Sequence, residues 1–329
     1  MAARRGRSVI MAGMPGSDPQ LSIVRSRLGE GLLELIGNTP LLRIRLFEDE
    51  LPDVHVFAKA EYRNPGGSVK DRPALRMITE AEHQGLLTPD RVILDATSGN
   101  TGVAYAMIGA AKGYRVHLVM PHNVSAERRA LVHAYGAEVT FSDPMEGSDG
   151  AIRLCREVLA ADPDLYYMPD QYNNPENWRA HYHGTGPEIW EQTRGSVTHF
   201  VAALGTGGTF VGTGRRLREM NPQIRLYSVQ PEGPWHGLEG LKHMASAIVP
   251  GIYDPNLADH GLGAPTEEAY DLARRLAITQ GILVGHSSGA NLWGVREVGR
   301  EIGQGVIVTI FCDGGDRYLS TGLYGVTPL

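Results

Sequence analysis

The residue with the clearest chemical potential in this 329-residue chain is a lysine. Asn64-Pro65-Gly66-Gly67-Ser68-Val69-Lys70 places a Pro-Gly-Gly turn ahead of a helix predicted from about Pro73 to Gln84, which brings Lys70 near a helix N-terminus. Positive charge is disfavoured at that end of a helix dipole. An amine held there gives up its proton more readily, which is the condition for attacking a carbonyl and forming an imine. For the other lysines, solubility is a sufficient explanation.

Four strand-end turns carry the remaining candidates. Ala96-Thr97-Ser98-Gly99-Asn100-Thr101-Gly102 follows an apolar run and leads into an apolar helix. Its backbone N–H groups and helix dipole suit an anion such as a carboxylate. Thr97 or Ser98 acting only as an N-cap explains the same residues equally well. Gly205-Thr206-Gly207-Gly208-Thr209 follows His199–Ala203 and lets a backbone approach a phosphate closely. It is neither a P-loop nor GxGxxG, which disfavours a nucleotide. Gly285-His286-Ser287-Ser288-Gly289 opens a further helix, where its serines would ordinarily be caps. Cys312-Asp313-Gly314-Gly315-Asp316-Arg317-Tyr318 is polar enough to close the far side of a pocket.

The elements that must position these turns alternate. Strand-like runs at Val54–Lys59, Arg91–Asp95, Arg115–Met120, Glu138–Phe141, His199–Ala203, Leu226–Gln230, Ile282–Val284 and Val306–Phe311 are interleaved with helical stretches. This rhythm predicts an α/β fold of mostly parallel sheets with helices on both faces. Ligands then sit beyond the carboxyl ends of the strands, which is where the turns lie. The length implies two domains sharing a cleft.

Composition narrows the partners. The net charge of −6 and the lack of a basic stripe argue against nucleic acid. No apolar run approaches the roughly 20 residues of a membrane span. Cys155 and Cys312 are far apart and define neither a disulfide framework nor a metal site, so reduced thiols are the simpler reading. Residues 1–30 hold five arginines in Met1–Arg27 against one acid, Asp18, as in a transit peptide or a twin-arginine signal. The apolar stretch after Arg4-Arg5 is short and contains Gly13, so a flexible arm, or an upstream start in a cytoplasmic protein, is expected instead.

Taken together and in order, these motifs resemble the cysteine synthase (O-acetylserine sulfhydrylase) family of fold-type II pyridoxal-phosphate enzymes, from about Leu33 to Gly325. Leu35-Ile36-Gly37-Asn38-Thr39-Pro40-Leu41 is similar to the family's opening signature, and Asp316-Arg317-Tyr318-Leu319-Ser320-Thr321 to its closing one. Gln171-Tyr172-Asn173-Asn174-Pro175, Gly186-Pro187-Glu188-Ile189-Trp190 and Cys312-Asp313 resemble the B-type isozymes.

The resemblance implies a tryptophan synthase β-like fold with the cofactor in a cleft. It implies a smaller domain at 60–172, a larger one at 31–59 and 173–329, and a homodimer. Lys70 would carry pyridoxal phosphate as an internal aldimine and move the α-proton. Asn100 would bond the cofactor's phenolic oxygen, Gly205, Thr206, Gly207, Gly208 and Thr209 its phosphate, and Ser287 its pyridine nitrogen. Thr97, Ser98, Thr101 and Gln171 would hold the substrate carboxylate.

The implied reaction is β-replacement of O-acetyl-L-serine by sulfide through an aminoacrylate, with no metal. O-phosphoserine as donor, or thiosulfate, a thiocarboxylate or homocysteine as acceptor, are the alternatives. Three residue groups stand apart from the pattern. Asp95 and His286 depart from what the family leads one to expect. Gly233–Gly237 lies where acceptor choice would be shaped. Arg215, Arg216 and Arg218 are either a solvated face or a reach toward a phosphoserine.

Overall fold

The computed structural model describes residues 31–97 and 99–325. The Arg-rich arm and Ser98 therefore lie outside the described residues. After a short turn of 3-10 helix, β1 (Leu41–Ile44) and β2 (Val54–Ala60) form a hairpin and lead to helix α1 (Asp71–His83). Then come β3 (Val92–Ala96), α2 (Asn100–Lys112), β4 (Arg115–Pro121), α3 (Ala126–Ala134), β5 (Glu138–Ser142), α4 (Gly147–Ala161) and β6 (Tyr166–Tyr167). Two short helices, α5 (Glu176–Ala180) and α6 (Gly186–Gln192), precede β7 (His199–Ala203), α7 (Gly208–Met220), β8 (Arg225–Pro231) and β9 (His260–Ala264). Finally α8 (Thr266–Gln280) and α9 (His286–Ile302) lead to β10 (Gly305–Phe311).

The strands make two sheets, one of six in the order β1-β2-β10-β7-β8-β9 and one of four in the order β5-β4-β3-β6. Among the described strands only the β1–β2 pair is antiparallel; β10 lies parallel to both β2 and β7. Parallel strands covered on both faces need unbroken apolar sequence. Val92–Ala96 is accordingly buried at every position, and so is β10 from Ile307 to Phe311. Helix α1 buries Ala74, Met77, Ile78 and Ala81, the spacing of one helical face. Helix α2 is buried from Thr101 through Gly109, as its small apolar residues allow.

The parallel α/β fold is as expected, with local differences. Ile282–Val284 is not a ladder strand: Val284 makes one isolated bridge to Gly314 and donates its N–H to the Tyr324 hydroxyl at 2.9 Å. The C-terminal segment supplies those backbone partners, so no sheet neighbour is needed. Strand β9 escapes the pattern because His260-Gly261-Leu262-Gly263-Ala264 contains two glycines and little β-branched surface.

Candidate active site

The lysine turn is fastened to the end of β10. Ser68 bridges Asp313, and the Val69 N–H donates to the Cys312 carbonyl at 2.7 Å. Lys70 then falls at the N-cap of α1 (φ −72°, ψ −17°). Its amine has no hydrogen-bond or ion-pair partner among the described residues, and it lines a cavity of about 260 Å³. Beside it the carboxyl of Asp71 is pushed up to about 7 by burial, although the Gly66 N–H donates to it.

Beneath that turn lies a buried charge network not foreseen as part of the site. Arg72 grips Glu61 through Nε at 2.7 Å and Nη2 at 2.8 Å. It also grips Glu188 at 2.7 Å with each terminal nitrogen. Lys59, fully buried, shares Glu188 and donates to the Thr39 hydroxyl at 2.8 Å. Asn64 Nδ2 reaches Glu61 at 2.8 Å, which ties the network to the start of the turn. Burial alone would raise Glu61 and Glu188. The charge and hydrogen bonds of Arg72 outweigh it, holding Glu61 below the usual range and Glu188 at about 2.

The turns after β3 and β7 and the start of α9 meet Lys70 in the same cavity. Thr97, Asn100, Thr101, Gln171, Gly205, Thr206, Gly207, Thr209 and Ser287 all line it. Of the expected residues, Ser98 is outside the described ones. Gly208 lies behind the turn, where a Cβ would stand 1.9 Å from Asn177 Oδ1.

Thr97 acts as a cap, its hydroxyl accepting from Gly99 N–H at 3.1 Å and Gly102 N–H at 3.2 Å. The Thr101 hydroxyl donates to Gln171 Oε1 at 2.8 Å, and Gln171 Nε2 donates to the Ala96 carbonyl at 2.9 Å. Asp95 sits under this pair, bonded to the Tyr105 hydroxyl at 2.9 Å, and burial pushes its carboxyl up to about 7. Asn100 Nδ2 donates to Asp313, and Asn100 Oδ1 accepts from Arg317 at 2.6 Å. Across the mouth, Arg128 from α3 lies against Gly99, stacks on Tyr318 at 4.7 Å and pairs with Glu239.

The remaining expectations resolve by distance from the cavity. Arg215, Arg216 and Arg218 pair with Asp254, Glu219 and Asp259 and do not line it. Trp235 is 96% exposed, and no residue of Gly233–Gly237 faces the cavity. His286 is buried between Tyr270 and Tyr318, with a hydroxyl neighbour, Thr321, rather than a backbone one. The groups sequence reasoning missed are Arg128, Glu239, Asn177, His181 and the Glu61–Arg72–Glu188 set. Their chain separations are long, so no spacing points to them. Arg72 adjoins the lysine turn and Glu188 lies within Gly186–Trp190, but the sequence alone gives neither a role in the site.

The donor set suits a phosphorylated carbonyl compound. In the turn at 205–209 and the first turn of α7, the N–H groups of Gly205, Thr206, Gly207, Thr209 and Phe210 donate to nothing among the described residues. Unpaired amides at a helix N-terminus form an anion cradle. An unpaired amine, Lys70, faces the same space. Burial pushes the nearby Cys312 thiol up to about 11, so it stays protonated beside that amine.

An unpaired amine and a cradle of unpaired amides on one cavity suit an enzyme that binds a phosphorylated aldehyde, and the family comparison agrees. Residues 32–313 match the model of the pyridoxal-phosphate dependent enzymes, and the chain belongs to that family. It is 53% identical over 301 residues to a cysteine synthase of Aquifex aeolicus, covering 90% of this chain and 92% of that one. It is 45% identical over 295 residues to cysteine synthase B of Escherichia coli, covering 89% and 96%. Among solved structures it resembles O-acetyl serine sulfhydrylase isoform 3 of Entamoeba histolytica, with a TM-score of 0.85 and 36% identity over 92% of this chain and 94% of that one. Pyridoxal phosphate is the cofactor of this family, and the unpaired amine and unpaired amides fit it.

Proposed function

We propose that the protein makes L-cysteine from O-acetyl-L-serine and sulfide, releasing acetate, with Lys70 and the glycine turn holding pyridoxal phosphate. The observation that carries this reading is that Lys70 and Gly205, Thr206, Gly207 and Thr209, far apart in sequence, line one cavity. When bound, the cofactor supplies an aldehyde that condenses with an amine and a conjugated ring that withdraws electrons from the substrate α-carbon.

The protein's own residues do the rest. The amides of Gly205, Thr206, Gly207 and Thr209, with the Thr206 and Thr209 hydroxyls, would hold the phosphate. Ser287, which lines the cavity, would offer the pyridine nitrogen a neutral hydroxyl and so would not fix a proton there. The arrangement favours loss of a β-substituent over prolonged charge storage. Thr97, Ser98, Thr101 and Gln171 would hold the substrate carboxylate, and Asn100, fixed by Asp313 and Arg317, would bond the cofactor's phenolic oxygen. Lys70 Nζ takes the α-proton as acetate departs and returns it after sulfide has added to the β-carbon. The Glu61–Arg72–Glu188 network anchors the turn that presents Nζ.

The two sheets support assigning 60–172 to a smaller domain and 31–59 with 173–329 to a larger one, since the four-strand sheet draws on residues 92–167. Two free cysteines suit a reducing cytoplasm. The resemblance supports a homodimer, which light scattering tests. No helix among the described residues is long and apolar enough to cross a membrane.

The deciding experiment supplies purified, cofactor-loaded protein with O-acetyl-L-serine and sulfide and quantifies cysteine and acetate in parallel. Stoichiometric formation of both is expected. A kcat/KM clearly higher for O-phosphoserine, or no cysteine from a protein that binds the cofactor, refutes the assignment.

A further inference from the structure

Thr209 closes the glycine-rich turn, and behind it lies an irregularity in the helical segment from Glu176 to Gln192. Between α5 and α6 the residues His181–Thr185 form one widened turn of π-helix, in which the Gly186 N–H bonds to the His181 carbonyl. Such insertions are uncommon and cluster at functional sites, because the extra residue re-aims the side chains around it. Here the result is a short side-chain row. His181 Nδ1 lies 2.9 Å from the Thr185 hydroxyl, and its Nε2 lies 3.3 Å from the Thr209 hydroxyl. The approach of α7 to this turn needs Gly212, since a Cβ there would stand 1.9 Å from the Trp178 carbonyl oxygen.

Proton counting gives the row a direction. His181 is 1% exposed, and burial, with the charges of Arg72 and Lys70, lowers its pKa to about 3. The ring is therefore neutral, with one N–H and one lone pair. The Thr185 hydroxyl is fully buried, and its one partner among the described residues is His181 Nδ1. A buried hydroxyl proton without an acceptor is costly, so Thr185 donates to Nδ1. The ring proton is then on Nε2, where it is donated to the Thr209 oxygen. Thr209 must send its own proton elsewhere, and its side chain lines the cavity.

We propose that His181 is a positioning residue for the cofactor phosphate, held by Thr185 as the Nε2–H tautomer so that the Thr209 hydroxyl donates outward to a phosphate oxygen. In the opposite tautomer Thr209 would donate into the protein and present only lone pairs to an anion. The inference rests on the reading of Gly205–Thr209 as the phosphate site.

The test uses histidine-15N-labelled holoenzyme, with the His181 signals identified by their loss in His181→Gln. A protonated Nε2 and a bare Nδ1 are expected; a protonated Nδ1 overturns the proposal. Equilibrium dialysis of pyridoxal phosphate gives the second readout. Thr185→Val should weaken binding about tenfold or more, close to the loss in Thr209→Val, as a hydrogen bond to a charged group requires. Thr185→Ser, which restores the donor, should bind as wild type does, and this excludes a merely structural effect of the valine. If Thr209→Val weakens binding and Thr185→Val does not, the relay is wrong and the phosphate site stands. If Thr209→Val changes nothing, the phosphate reading itself fails.

Discussion

Glu188→Gln removes the carboxylate that Arg72 and Lys59 share, and the structure sets the size of the effect. Burial would raise the Glu188 pKa, but the hydrogen bond and charge of Arg72 and the contact with Lys59 bring it from the ordinary 4.5 to about 2. That difference of about two and a half pH units, at about 1.36 kcal/mol each, comes to about 3 kcal/mol. The side chain is only 14% exposed, so solvent screening takes away little of it. A carboxyl whose folded pKa is depressed stabilises fully above its unfolded value and loses that contribution as pH falls through its folded value. The Glu188 contribution is therefore complete above about pH 4.5 and fades toward pH 2. At pH 7 the variant should lose about 3 kcal/mol, or about 1 M in urea midpoint for m near 3 kcal/mol/M. The gap from wild type should narrow at pH 3.5. Urea titrations of both proteins at the two pH values measure it. A gap that is the same at both, or under about 0.5 kcal/mol at pH 7, would show that the ionised pair is not what anchors the lysine turn.

How much of this was legible in sequence depends on whether the information is local. The runs at Val92–Ala96 and Gly305–Phe311 are apolar without alternation, so their burial in parallel sheets could be read directly. The turns after β3 and β7 carry glycines and hydroxyls in a row, and their place at strand ends follows from the fold class. Tyr166–Tyr167, two residues long, offers no period at all. The partners that orient the site were unreadable for a different reason. Glu188 lies 116 residues from Arg72, Asp313 lies 213 from Asn100, and Glu239 lies 111 from Arg128. Glu239 is an ordinary charged residue in its own neighbourhood, and the motifs that contain Glu188 and Asp313 do not say which residue either one meets. Only the three-dimensional meeting brings each to its partners. The widened turn at His181–Thr185 is invisible for the same reason, since it packs against α7 at Gly212, which lies some way along the chain.

Lys70→Ala should abolish the visible absorbance of the bound cofactor, as read by spectrophotometry; retention of the band would exclude Lys70 as its attachment point. Gly208→Ala drives a methyl group onto Asn177, which holds the Thr206 hydroxyl at 3.2 Å, so cofactor affinity should fall about tenfold in equilibrium dialysis. Thr97→Val leaves the Gly99 amide without its acceptor and takes one of two from the Gly102 amide, so KM for the amino-acid substrate should rise about tenfold while cofactor affinity is unchanged. The last prediction concerns His286 and a pH window away from that of Glu188. Burial lowers its pKa from 6.5 to about 4, and its Nδ1 has no hydrogen-bond partner among the described residues. Between those values the unfolded chain binds a proton that the folded protein refuses. Stability must therefore fall as pH drops from 6.5 toward 4, by about 3 kcal/mol at most. His286→Phe keeps an aromatic ring against Tyr270 and Tyr318 and removes both the titration and the unpaired nitrogen. The variant should match or exceed wild type at pH 7 and exceed it by a larger margin at pH 4.5, in urea midpoints. Parallel pH profiles would mean that the imidazole charges inside the folded protein, and that a partner for Nδ1 exists in solution.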